Sequence, residues 1–415
     1  MLSLLSAAIG HTWSLPFENP FIIWFQSVGG NDSFGHYFLY YLMNFLSMLG
    51  EETVLVGIIG LIYWGLDKRR GERIGFMMIS GAVINPMIKN IVCRTRPFDS
   101  EAGIHNFRDV SGYSFPSGHS SGSASTYLGT AVTYKDKKQK WLLALAIVVP
   151  VLVALSRTYV GAHYPTDVVC GLILGVGIVF LIDLLYKVIP NKYFLYGGMA
   201  IIGLAGFFYC KTDDYFTAYG LLLGLIAGVI FEEKIVKFQN TKVWWRIVLR
   251  VLIGGGLYLG LNVAFKGIVG AIYKGYKDNF WFESSFRTVR YAIIAFLIIG
   301  IYPMLFKYAE MLWKKLGWIK EQPSDTETTA TVAYADKKSN LLASIGFALS
   351  FVCGLAGLPI SAIACKRARK DGYDKLKMST AGICVSVAWI TIFALCMIAL
   401  ACVLNGGYIF MKPTT

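Results

Sequence analysis

The chain has 415 residues, of which 55% are hydrophobic and only 15% are charged, and its formal net charge is +14. Soluble domains carry about a quarter charged residues, so this composition excludes an ordinary soluble protein. The positive charge fits basic loops that face anionic lipid on the cytoplasmic side, and we predict no nucleic-acid partner. The cysteines are scattered with no CxxC pair, so they predict neither disulfides nor a metal site.

Apolar runs close to the ~20 residues of a membrane-spanning helix recur along the chain. Strands of a membrane barrel would alternate apolar and polar residues, so the sequence predicts an all-α, polytopic helical membrane protein. The predicted spans lie near 53–66, 74–89, 119–134, 141–156, 165–187, 195–210, 217–231, 246–264 and 289–306. The stretch 20–50 is apolar but interrupted by glycine and asparagine, which leaves open whether it spans the membrane or lies in the interface.

Basic loops predict which side each loop faces. "DKRRGER" at 67–73 and "KDKKQK" at 135–140 should be cytoplasmic, because basic residues are retained on that side. The alternate loops, 90–118 and 157–164, should then be extracytoplasmic. These two loops hold three polar stretches that are unusual in so apolar a chain.

The first polar stretch is "KNIVCRTRP" at 89–97. A lysine at a helix end can be a simple interfacial anchor. However, Lys89 and Arg96 lie on the face where basic residues are usually sparse. A lysine point charge and a planar guanidinium together suit the oxygens of a phosphate.

The second stretch is "PSGH" at 116–119, directly before a predicted helix. An ordinary Ser-Gly turn and cap is one interpretation. The other is an anion cradle, in which the backbone N–H groups of Ser117 and Gly118 point outward from the positive end of the helix. The small residues that follow, "SSGSAST", favour close packing of membrane helices.

The third stretch is "SRTYVGAHYPTD" at 156–167, where Pro165 suits the first turn of a helix. A capped helix start would explain it. Alternatively, Asp167 lies four residues after His163 and could reach one imidazole nitrogen, leaving the other free as a nucleophile. Arg157 belongs to the same stretch.

In residue type, order and spacing, the patterns K-x6-RP, PSGH and SR-x5-H-x3-D match a known signature. Through them the chain resembles the type 2 phosphatidic acid phosphatase (PAP2) superfamily, in its branch of bacterial membrane lipid phosphatases. The resemblance implies a PAP2-type helical bundle core with further transmembrane helices. It also implies that His163 attacks phosphorus, Asp167 orients it and His119 protonates the leaving group. The implied phosphate-binding residues are Lys89, Arg96, Ser117, Gly118 and Arg157.

The predicted function is hydrolysis of a lipid phosphate or diphosphate through a phosphohistidine, at the extracytoplasmic face of the cell membrane. Polyprenyl diphosphate is the first candidate substrate, followed by phosphatidate or phosphatidylglycerol phosphate. We expect no cofactor and no metal, since basic residues supply the positive charge. A lipid transporter or scramblase, or a phosphotransferase, built on the same core remains the alternative. The sequence leaves the oligomeric state open.

Four segments divide the chain. Residues 1–190 form the predicted phosphatase core, and 191–308 form accessory transmembrane helices whose role the sequence leaves open. Residues 309–338 are predicted to be a cytoplasmic linker, because their centre is polar and contains proline. Residues 339–415 are predicted to be a small C-terminal membrane helical unit.

Overall fold

A computed structural model of the protein describes residues 13–28, 30, 34–134, 140–272 and 280–315, and every regular element in these ranges is a helix. The helices are α1 (Glu18–Ser27), α2 (Phe34–Met48), α3 (Glu52–Gly60), α4 (Lys68–Val92), α5 (Pro97–Ser100), α6 (Gly118–Thr133), α7 (Lys140–Tyr159), α8 (Pro165–Val188), α9 (Lys192–Phe207), α10 (Asp213–Phe231), α11 (Trp244–Ile272), α12 (Phe280–Phe296) and α13 (Met304–Lys315). Three of them, α3, α10 and α12, continue into a π-helical turn. Residues 309–315, predicted to begin the linker, belong instead to α13. The rest of that linker, the C-terminal unit and most of the basic loop 135–140 lie outside the described residues.

The described helices confirm an all-α, multi-pass membrane protein. Six segments are long and apolar enough to cross a membrane: Lys68–Ser100, Lys140–Tyr159, Pro165–Val188, Asp213–Val236, Trp244–Phe265 and Phe280–Glu310. The undecided stretch 20–50 contains α1 and α2, and α2 joins the helix Glu52–Leu66 at a bend of 50°. This bent pair could form a seventh crossing.

Helix α6 is the centre of the core and packs against α4, α7 and α8. Its small residues let the neighbouring backbones approach closely. The approach is tightest at α8, because a Cβ atom on Gly171 would lie 2.5 Å from the carbonyl oxygen of Ser117. One turn further, a Cβ atom on Gly175 would lie 2.5 Å from the carbonyl oxygen of Ser121. These glycines therefore hold the first turn of α6 against the first turns of α8.

The two ends of the bundle carry different kinds of charge contact. At one end, the basic segment 67–73, predicted to be a loop, forms the start of α4. It makes ion pairs there, with Arg73 2.5 Å from Asp183 and Lys68 2.9 Å from Glu232. Lys89, seventeen residues after Glu72 on α4, is roughly 25 Å away along the helix axis. The starts of α6 and α8 lie at the Lys89 end, where Ser117 N–H donates to the carbonyl oxygen of Asp167 at 2.9 Å.

The accessory helices are attached to the core at both ends. Helix α10 packs against α12 and also against α4 of the core. At the Lys89 end, the Asn90 side chain donates to the Thr212 hydroxyl at 2.7 Å. At the opposite end, Lys192 forms an ion pair with Glu72 of the core at 2.6 Å. The end of α4 and the start of α10 are therefore neighbours.

Candidate active site

The eight residues predicted to form the site come from five helix ends. Lys89 lies in the last turn of α4, Arg96 precedes α5, and Arg157 lies in the last turn of α7. The Ser117–Gly118–His119 segment begins α6. His163 lies in the loop before α8 and Asp167 in its first turn. The structure brings these elements to the same end of the bundle.

The cationic side chains of the site surround His163. Its imidazole is only 2% exposed, and its Nε2 atom lies 3.5 Å from Nη1 of Arg96. The charges of Arg96, Arg157 and Lys89 all act on it. The charges of Arg157 and Lys89 act on His119 as well. Two imidazoles and three cations from separate motifs therefore share one site.

The expected direct bond between Asp167 and His163 is replaced by a three-residue arrangement. Asp167 Oδ2 lies 3.7 Å from His163 Nδ1, which is beyond hydrogen-bond distance. The Ser114 hydroxyl lies between them, donating to Asp167 Oδ2 at 2.5 Å and lying 3.4 Å from His163 Nδ1. Asp167 thus faces the Nδ1 side of the ring through Ser114, and Nε2 faces the cations.

Asp167 is fixed by a buried network that the sequence did not reveal. Its Oδ1 atom accepts from Arg94 at 2.5 Å, and its Oδ2 atom accepts from the Tyr164 N–H at 2.9 Å. Arg94 also donates to Glu18 at 2.6 Å, and all three charged side chains are fully buried. Its guanidinium stacks on the rings of Trp13 and Tyr164, 3.8 and 3.7 Å from their centroids. The donors of Arg94 are therefore used inside the protein.

The PSGH turn differs in one detail from the expected cradle. The Ser117 N–H does not point outward, since it donates to Asp167 O, and the Ser117 hydroxyl caps α6 by accepting from Ser120 N–H at 3.3 Å. Ser117 is therefore buried and holds the turn in place. The first N–H groups of a helix have no partner within that helix. This leaves the amides of Gly118 and His119 at the positive end of α6 for an anion.

Arg96 and Arg157 are held rigidly by contacts with the backbone and with a serine. Arg96 donates to the carbonyl oxygens of Ser111, Gly112 and Ala162 at 2.7 to 3.0 Å. Arg157 extends α7 instead of lying on the loop, and its Nη1 atom donates to the Ser47 hydroxyl at 2.8 Å. Within the described part of the chain, Nε of Arg157 is buried and has no hydrogen-bond partner. A donor of this kind is available to an anion.

The bend between α2 and α3 closes the site from one side. Ser47 binds Arg157, and Glu51 pairs with Arg108 of the loop 101–117. Gly50 lies against His119, since a Cβ atom at that glycine would be 3.3 Å from the His119 Cβ atom. The stretch that the sequence left undecided is therefore part of the wall of the site.

The pKa of His163 is held well below its ordinary value, first by burial and then by the charges of Arg96, Arg157 and Lys89. Both effects disfavour the protonated ring. The folded protein therefore keeps this imidazole neutral at neutral pH. A neutral imidazole has the lone pair that a nucleophile needs.

This pKa shift predicts a pH-dependent stability difference between the wild type and His163→Gln. Below about pH 6.5 the imidazole binds a proton in the unfolded protein but not in the folded protein. As the pH falls below this value, the free energy of unfolding of the wild type therefore decreases by up to about 1.4 kcal/mol per pH unit. The variant lacks the imidazole and does not show this decrease. Thermal unfolding in detergent from pH 7.5 to 5.5 measures this. If the melting temperatures of the two proteins changed with pH by the same amount, the result would contradict the pKa shift.

Several residues of the site are not among the eight predicted site residues. They are Glu18, Ser47, Arg94, Ser114 and Asp214. Ser114 lies two residues before the PSGH motif and Arg94 lies inside the first motif region, so their positions gave a local signal. Glu18, Ser47 and Asp214 gave none, because only the fold brings them to the site. No group of three or more His, Cys, Asp or Glu side chains that could hold a metal ion occurs in the ranges that the structure describes.

Comparison with known proteins matches both halves of the described chain. The PAP2 superfamily matches residues 72–192, and the transmembrane extension of PAP2 superfamily phosphatases matches residues 216–312. The chain is 35% identical to an undecaprenyl-diphosphatase from Sulfolobus acidocaldarius, over 34% of this chain and 67% of the relative. It is 32% identical to phosphatidylglycerophosphatase B from Bacillus subtilis, over 34% of this chain and 72% of the relative.

A third relative matches a longer part of the chain. Sphingosine-1-phosphate phosphatase 1 from Mus musculus is 30% identical over 65% of this chain and 72% of the relative. No solved structure matches the chain significantly. The two matched families agree with the membrane helices described above. The chain belongs to the PAP2 superfamily, as a multi-pass membrane phosphatase that carries the family's transmembrane extension.

Proposed function

We propose that this protein hydrolyses a lipid phosphate or diphosphate through a phosphohistidine formed on His163. The observation that carries the proposal is the position of that imidazole, which is buried and faces Arg96 with its Nε2 atom at 3.5 Å. A phosphate held by Lys89, Arg96, Arg157 and the Gly118 amide would place phosphorus in front of Nε2. Phosphoryl transfer depends mainly on such positioning and charge neutralisation.

In the first step, Nε2 of His163 forms the P–N bond while the P–O bond to the lipid breaks. The leaving oxygen takes a proton from His119, which acts as the general acid once the negative charge of the bound phosphate favours its protonated form. Asp167 and Ser114, on the Nδ1 side, stabilise the positive charge that the ring acquires. Burial makes this stabilisation stronger than it would be in water.

In the second step, water replaces the histidine on phosphorus. His119, now neutral, takes a proton from the water as its oxygen forms the new P–O bond and the P–N bond breaks. Phosphate leaves, and His163 is again neutral. Both steps use only groups of this chain, and the cationic side chains supply the positive charge that a metal would otherwise provide.

We place the site at the extracytoplasmic face. The support is the separation of the two ends of α4, since the basic segment 67–73 at its start lies opposite Lys89. Basic loops of this length are retained in the cytoplasm. A lipid substrate could keep its tail in the bilayer while its phosphate reaches the outer end of the bundle.

The substrate class is proposed from the relatives, whose names cover three kinds of lipid phosphate. Undecaprenyl-diphosphatase and phosphatidylglycerophosphatase B match the core, whereas sphingosine-1-phosphate phosphatase 1 matches a segment twice as long. Polyprenyl diphosphate and phosphatidylglycerol phosphate therefore remain candidates. The longer match adds sphingoid phosphates to them.

We expect the purified protein in detergent to release phosphate from at least one of these lipids in excess EDTA. The panel is undecaprenyl diphosphate, phosphatidate, phosphatidylglycerol phosphate and sphingosine 1-phosphate, with His163→Asn protein as the blank. Orthovanadate should inhibit, because it mimics five-coordinate phosphorus. Loss of turnover in EDTA and its recovery with magnesium would contradict the metal-independent mechanism. Lipid movement without phosphate release would favour a transporter or scramblase.

A further inference from the structure

Helix α10, which continues into the transmembrane extension, places a carboxylate next to the phosphate-binding cluster of Lys89, Arg96 and Arg157. Asp214, in the first turn of α10, has its Oδ2 atom 3.5 Å from Nζ of Lys89. The two residues are 125 positions apart in the chain. The Lys89 side chain is only 9% exposed, whereas that of Asp214 is 45% exposed. The charge of Asp214 also acts on Arg96.

Hydrogen bonds between the segment before α10 and the end of α4 fix this position. The Tyr209 hydroxyl donates to the carbonyl oxygen of Met87 at 3.1 Å, and the Lys211 N–H donates to the Asn90 side chain at 2.8 Å. Asn90 in turn donates to Thr212 at 2.7 Å. The segment directly before α10 is therefore attached to the turn that carries Lys89.

The other carboxylates near the site bind other partners. Asp167 is bound by Arg94, Ser114 and the Tyr164 N–H, and Glu51 pairs with Arg108. Among the residues that the structure describes, Asp214 is the carboxylate that forms an ion pair with Lys89. The neighbouring Asp213 points elsewhere and pairs with Arg287 of α12 at 2.7 Å.

We propose that Asp214 is the resting counter-ion of Lys89 and that a phosphate group must displace it to bind. This inference rests on the proposed phosphatase function and adds a residue of α10 that sets the affinity for phosphate. In the resting protein, Asp214 compensates part of the charge of Lys89, Arg96 and Arg157. When phosphate arrives, its oxygens take over Lys89, and Asp214 becomes a like-charged neighbour that turns toward water.

The exchange lowers affinity for every phosphate that enters the site, the product included. Phosphate must replace an existing ion pair and then tolerate a nearby negative charge, which both weaken its binding. A half-exposed carboxylate at a helix start can move into water at little cost. The extension therefore promotes release of inorganic phosphate after each turnover.

The test compares Asp214→Asn with the matched control Asp213→Asn. Isothermal titration calorimetry with inorganic phosphate, on each purified full-length protein in detergent, measures affinity independently of turnover. We expect Asp214→Asn to bind phosphate roughly tenfold more tightly than the wild type, a change at the low end of typical coupling between two sites. The phosphate affinity of Asp213→Asn should stay within about twofold of the wild type, because Arg287, the partner of Asp213, lies outside the phosphate-binding cluster.

Kinetics supply a second readout. The KM of Asp214→Asn for the lipid phosphate should fall with the phosphate Kd, and its kcat should not exceed that of the wild type. Asp214→Ser, a second neutral variant, should behave in the same way, and Asp214→Glu should resemble the wild type. An unchanged or weaker phosphate affinity in both neutral variants would overturn the proposal. Such weakening would mean that Asp214 merely holds Lys89 in place.

The proposed function and this inference fail in different ways. A wild type that releases phosphate from none of the lipids refutes the function, while calorimetry still measures the effect of Asp214. If the wild type is active but the Asp214 substitutions leave the phosphate affinity unchanged, only the proposed counter-ion role of Asp214 is refuted.

Discussion

His163→Asn should reduce lipid phosphate hydrolysis by roughly 10³- to 10⁶-fold, the range expected when a nucleophile is removed. Asparagine fills part of the imidazole volume and can still accept from Arg96, so the loop before α8 should keep its conformation. The cations would continue to bind phosphate, but no nitrogen could form the P–N bond. Initial rates of phosphate release, measured with the best lipid of the panel, give the size of the loss.

Two measurements separate loss of chemistry from loss of structure. His105→Asn, at an exposed histidine on the same side of the molecule, is the matched control and should retain wild-type activity. The phosphate affinity of His163→Asn should stay within about tenfold of the wild type, since the binding cations remain. Activity near that of the wild type would exclude His163 as the nucleophile.

Arg94→Met should lower the free energy of unfolding by about 3–5 kcal/mol, the usual cost of removing one partner from a buried ion pair. The Arg94 guanidinium bridges Glu18 and Asp167, and none of the three side chains is exposed. Methionine can replace the stacking on Trp13 and Tyr164 but cannot neutralise two buried carboxylates. Thermal unfolding in detergent should therefore show a large fall in melting temperature.

The control for this loss is Arg69→Met, at an exposed arginine at the opposite end of α4. Surface charges contribute little, so its melting temperature should equal that of the wild type. Adding Glu18→Gln to Arg94→Met removes one of the two uncompensated charges and should recover part of the stability. An unchanged melting temperature in Arg94→Met would show that the network does not stabilise the fold.

Much of the site could be predicted because its motifs are local. PSGH precedes a helix, and in the structure α6 begins at Gly118. Pro165 suits a first helical turn, and α8 begins there. Residue type and spacing within one turn determine such features, since capping and proline geometry act over a few residues. The length and apolar character of the spans likewise follow from the chain alone.

The partners of the motif residues could not be predicted in this way. Ser114, lying between Asp167 and His163, replaces a bond that helical spacing alone had suggested. Arg94 has the sequence signature of a phosphate ligand or a headgroup anchor, yet Glu18, 76 residues away, and Asp167 bind it inside the protein. Whether an arginine faces a ligand or a carboxylate depends on the side chains that the fold places around it. The periodicity of the sequence does not show which side chains these are.

The sequence by itself determined the all-α membrane architecture, the three motif segments and their common end of the bundle. Hydrophobic periods, helix caps and loop charge act locally, so they can be recognised in the chain without the fold. Only the tertiary structure decided that the bend after α2 holds Arg157 and that the extension delivers Asp214 to Lys89. Those contacts join residues more than 100 positions apart. They exist because helix packing, and not the spacing of residues along the chain, brings these helix ends together.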